Sequence, residues 1–232
     1  MTAAQFVDRL NALQSDVERE KIQRYFKSGK DQFMGVKMGQ LFALAKEFIG
    51  MSPAEIEKLL ESPIHEVRAG GLSIMDKQAR LPKTTEDRRK ELYDLYMRRH
   101  DRIDNWDLVD LGAPFVVGRY LKDKPRDVLY ELTKSENMWE RRTAILASYY
   151  FIREKELDDT FRIAEILLHD KEDLINKPVG AGLRWAGSHD PPRLLTFLDE
   201  HAATMPRVAL RFAIEHLDKA QRDHYLGLKS SL

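Results

Sequence analysis

Gln40-Leu41-Phe42-Ala43-Leu44-Ala45-Lys46-Glu47-Phe48 decides the fold class. Its apolar residues return at three- and four-residue spacing, the interval that gathers side chains on one face of a helix. Glu91 to Met97 (ELYDLYM) and Arg162 to Leu168 (RIAEILL) repeat the pattern, and no comparable stretch alternates with the period of a strand. Helix starts are marked as well. Ser52-Pro53-Ala54-Glu55 reads as a capping box with proline at the first helical position, Ser62-Pro63 repeats the cap, and Thr84-Thr85 precedes the acidic turn Glu86-Asp87. The chain is therefore expected to be all-α, with about a dozen helices joined by short turns.

The 232 residues (27.0 kDa) suffice for a packed core. Few glycines and no low-complexity linker interrupt them, so residues 1–232 are expected to form a single domain. A hydrophobic fraction of 43% and a charged fraction of 33% describe a soluble globular protein with a highly charged surface. No apolar run approaches the roughly 18 residues of a membrane span, and Met1 to Gln14 lacks the pattern of a signal peptide, which makes the cytoplasm the expected location. The absence of cysteine excludes disulfides, thiolate metal sites and cysteine nucleophiles. The seven histidines show no zinc-binding spacing, and there is no phosphate-binding glycine loop, Rossmann fingerprint or nucleophile elbow. No metal or cofactor is expected.

One helix type returns along the chain. Arg68-Ala69-Gly70-Gly71-Leu72, Arg142-Thr143-Ala144-Ile145-Leu146, Lys177-Pro178-Val179-Gly180-Ala181 and Arg207-Val208-Ala209-Leu210 each place a base ahead of small and apolar residues. The Trp106 helix falls between the first two, so the spacings are roughly 37, 37, 35 and 30 residues, the range of paired-helix repeats of the HEAT type. Such pairs are expected to stack into a curved α-solenoid whose second helices line one groove. Arg142, Lys177 and Arg207, joined by Arg141 and Arg184, would give that groove a positive trough despite a net charge of zero. Taken singly, these cations read as solvated helix ends and ion pairs, with Arg141 a partner of Glu140 or Glu136. The glycines at 70, 71, 180 and 182 read as close helix packing, and Trp139 as a wedge between helices.

Asn105-Trp106-Asp107-Leu108-Val109-Asp110 carries the chemistry. Asn105 can cap the helix, and Trp106 and Asp110, four residues apart, share one side of it. An indole beside a carboxylate suits a site where a cation or sugar lies against the ring while the acid balances developing positive charge. Asp107 reads as an acid supporting the helix N-terminus.

These stretches, together with Tyr25, Phe33-Met34-Gly35-Val36, Trp139 to Leu146 and Lys177-Pro178-Val179-Gly180 with Leu183-Arg184, resemble the AlkD-like DNA alkylation repair family over most of the chain. The resemblance implies a monofunctional glycosylase that removes cationic N3- and N7-alkylated purines from double-stranded DNA without metal or cofactor. It makes Asp110 the catalytic carboxylate, Trp106 the aromatic in the cleft, Arg142 a DNA-contacting arginine and Tyr25 an aromatic near the DNA. Lys177 and Arg184 join these as expected DNA contacts. The family's second tryptophan is replaced by Ala181, and Trp185, one helical turn on, is the residue placed to substitute for it. Because a cationic purine leaves as a neutral base, no general acid is needed, and the carboxylate has only to stabilise an oxocarbenium-like sugar and position water. Two other readings stay open: a binder of damaged or branched DNA that excises nothing, and a HEAT-like scaffold for a protein partner.

Overall fold

The computed structural model describes residues 1–25 and 32–228. Among them are fourteen α-helices and no strand, in line with the expected all-α class. Contacts divide the chain into two compact units, Met1–Tyr120 and Leu121–Leu232.

The first unit contains α1 (Ala3–Asn11), α2 (Asp16–Tyr25), α3 (Met38–Glu47), α4 (Pro53–Leu60), α5 (His65–Arg80), α6 (Glu86–Arg98) and α7 (Trp106–Gly112). α5 is its axis and packs against α3, α4 and α7. Gly70 and Gly71 let neighbours close on α5, since a Cβ on Gly70 would stand 2.5 Å from the Phe6 ring. Burial extends to the polar residues of α5, each of which is bonded. Glu66 accepts the backbone N–H groups of Met34, Gly35 and Val36 at 3.1, 2.8 and 3.4 Å. Gly35 has φ +81°, and a Cβ there would meet the Ser15 carbonyl at 2.2 Å, so only glycine fits this turn.

The second unit contains α8 (Asp127–Leu132), α9 (Met138–Arg153), α10 (Asp158–Ile166), α11 (Asp173–His189), α12 (Pro191–His201), α13 (Arg207–Ala213) and α14 (Lys219–Gly227). Here α11 is the axis, packed on α9, α10, α12 and α13. Gly180 permits its closest approach, because a Cβ there would lie 2.2 Å from the Ala209 carbonyl oxygen. The glycines thus serve helix packing, as their positions in the sequence suggested.

Several caps match the sequence and some are rearranged. Ser52 accepts from Glu55 N at 3.4 Å and Thr85 from Arg88 N at 3.2 Å. The capping box at Ser52 is half made, because Glu55 turns its carboxylate to Ala3 N at 2.7 Å and to Lys58. Ser62 does not cap α5; it accepts from Ile64 N at 3.1 Å and holds the turn before the helix.

The repeat register also shifts by one residue. Arg68 is the fourth residue of α5 and donates to the Ser62 carbonyl and to Asp104, both at 3.1 Å. Its counterpart is Arg141, fourth in α9, which donates to the Ser135 carbonyl at 2.9 Å and grips Asp170 at 2.6 and 3.2 Å. Arg141 is therefore a partner of Asp170, not of the Glu140 or Glu136 carboxylates. In α11 the fourth residue, Asn176, donates to the Asp170 carbonyl at 3.2 Å. Arg142 and Lys177 occupy the fifth position, as Asp110 does in α7.

Candidate functional site

A cleft of about 580 Å³ in the first unit is lined by Lys21, Ile22, Met38, Phe42, Trp106, Asp107, Asp110 and Leu111. Helices α2, α3 and α7 each contribute one wall. Asn105 starts α7 by accepting the N–H of Trp106 at 2.8 Å, and helical spacing then carries Trp106 and Asp110 to the same opening. Immediately after α7, Pro114 cannot donate to the carbonyl of Asp110, and the chain widens into a π-helical turn over Ala113–Gly118.

The two carboxylates in this cleft differ in kind. Asp107 is buried, with Oδ1 accepting from Leu108 N at 2.9 Å and Oδ2 2.7 Å from Nε2 of His65. It supports the helix start as expected, and His65 adds a tie from α7 to α5 that spacing does not reveal. Asp110 is exposed at the cleft, and Trp106 is half-buried beside it. The remaining walls are mainly apolar, so a charge opposite Asp110 meets less screening than in open water. Met38 and Phe42 belong to the quoted helical stretch and its flank, and only the fold shows that this face looks into the cleft. No group of three or more His, Cys, Asp or Glu among the described residues is arranged to hold a metal ion.

The second unit contains the other candidates. Arg142 is buried, and its guanidinium donates to the carbonyl of Leu174. That carbonyl is left without its usual helical donor because the residue four places on is Pro178. Lys177 is exposed on α11, Arg184 is ion-paired with Glu215, and Arg207 donates to the Leu226 carbonyl at 2.6 Å. With Arg141 committed to Asp170, most of the expected positive trough is occupied by internal partners. Trp185 keeps 38% of its surface exposed and meets the edge of Tyr149 at 5.7 Å, while the Tyr149 hydroxyl is fixed on the Pro178 carbonyl at 2.6 Å. Ala181 is half-exposed, and Trp139 is half-buried near the start of α9. Tyr25 closes α2, and its side chain lies outside the described residues.

An indole and an exposed carboxylate thus line one largely apolar cleft of an all-helical protein. The chain belongs to the DNA alkylation repair enzyme family, which matches residues 6–217. Its fold is similar to that of a predicted DNA alkylation repair enzyme from Enterococcus faecalis, with a TM-score of 0.70 and 19% identity, covering 89% of this chain and 97% of that one. No curated protein matches the sequence.

Proposed function

We propose that the protein is a monofunctional DNA glycosylase that hydrolyses the N-glycosidic bond of cationic N3- and N7-alkylated purines in duplex DNA. The observation that carries this reading is the placement of the two acids of α7: Asp107 is buried against His65, while Asp110 is exposed and lines the cleft together with Trp106. Asp110 faces the sugar as it becomes oxocarbenium-like, and its second oxygen orients the attacking water. Trp106 stacks against the cationic nucleotide, a contact worth about 0.5–2 kcal/mol. The alkylated base departs neutral, so no acid is needed to protonate it.

DNA contacts in this reading come from Arg142, Lys177, Trp185 and Tyr25. Arg184 reaches a phosphate by exchanging Glu215 for it. The fifth-position register shared by α7, α9 and α11 is the ground for reading residues 1–232 as one repeat array.

The test is release of 7-methylguanine and 3-methyladenine from methylated duplex under single-turnover conditions. Asp110→Asn is expected to cut release by at least about 100-fold while duplex binding persists. Ala181, at the place of the family's second tryptophan, favours one alternative, a binder of damaged or branched DNA. Tight binding by the intact protein with no base released would establish that alternative.

A further inference from the structure

Ion pairing is extensive on this surface, and Lys77 stands outside it. Its ammonium on α5 is partly buried, donates to the Ser73 hydroxyl at 3.1 Å and lies 5.3 Å from the centre of the Phe42 ring. The neighbouring acid, Asp76, is held by Nε of Arg80, 2.8 Å from each carboxylate oxygen. No carboxylate among the described residues lies within ion-pair distance of Lys77 or of exposed Lys46. Burial foremost, with repulsion from Arg80 and Lys46, holds the Lys77 pKa below 10.5, and Asp76 only partly offsets this. A partly desolvated cation beside two like charges gains from any anion that reaches it.

Phe42 connects this cation to the cleft, since it also lines the opening that contains Trp106 and Asp110. We propose that Lys77, held in place by the buried Ser73 hydroxyl, forms with Lys46 a phosphate subsite for one phosphodiester of a polynucleotide strand at the Phe42 end of the cleft. The ammonium serves the non-bridging oxygens, and the Phe42 face accommodates the adjoining sugar. This rests on the DNA-binding reading above and assigns to α3 and α5 a backbone contact that the resemblance does not include.

Binding of a fluorescent duplex, followed by anisotropy between about 50 and 200 mM salt, tests it through the slope of log affinity against log salt. Lys77→Gln is expected to lower that slope by about 0.9, which shrinks the affinity lost across this range by about threefold. Lys77→Arg should keep the slope, and so should Lys58→Gln, whose lysine is paired with Glu55 on α4. An unchanged slope in folded Lys77→Gln overturns the subsite and leaves the DNA reading standing. A wild-type protein that binds no duplex overturns both. Should Lys77→Gln fail to fold, acylation of wild-type Lys77 by an amine-reactive ester decides: protection by duplex supports the subsite, and equal labelling with and without duplex overturns it.

Discussion

Helices α7 of the first unit and α9 of the second begin alike and are secured with opposite charges. Each is capped by an asparagine and has a tryptophan in its first turn: Asn105 with Trp106, Asn137 with Trp139. In α9 a base does the fastening, because Arg141 grips Asp170, a carboxylate whose side chain is 7% exposed. In α7 an acid does it, through Asp107 and the buried imidazole of His65. The fifth position of each helix is then placed differently. Arg142 turns inward to the Leu174 carbonyl, while Asp110 is exposed in a cleft.

The largest expected effect is on the α9 side. Asp170→Ala leaves the largely buried Arg141 guanidinium with backbone carbonyls but no carboxylate and should cost about 3–5 kcal/mol, measurable as a lower denaturant midpoint. On the α7 side, His65→Ala leaves a carboxylate oxygen of Asp107 without its partner and should cost about 1–3 kcal/mol. If His65 fastens the helix bearing Trp106 and Asp110, base release falls in this variant as well. Equal losses from the two substitutions would break the comparison, since it requires the charged, bidentate fastening to be the stronger. The smallest effect on stability belongs to Asp110→Asn, expected within about 0.5 kcal/mol of wild type because the side chain is exposed. A large loss there would mean that Asp110 is structural and would remove the basis for assigning it chemistry.

The legible part of this molecule is the part governed by local spacing. Helical class, the cap at Asn105 and the shared face of Trp106 and Asp110 depend on intervals of a few residues, and all are found where the sequence suggested. Longer connections could not be read that way. His65 and Asp107 are 42 residues apart, and nothing in either neighbourhood names the other. Arg141 met the same difficulty: two acids stood close in sequence, yet the fold brought Asp170 to it instead. Grouping Arg68 with Arg142 was a matter of register, because two adjacent arginines in α9 offered two alignments and only their bonds separate them. Lys77 was invisible for a related reason, since its place beside the Phe42 ring is a property of three-dimensional arrangement.

The carboxylate of Glu66 has a consequence for slow local motion. It holds three successive amides of an irregular segment, Met34 to Val36, from within a helix that is almost wholly covered. Those amides can trade their hydrogens with deuterated solvent only when the start of α5 opens. A stretch with no regular structure thereby takes on the exchange behaviour of the core, and its protons become a clock for the opening of the first unit.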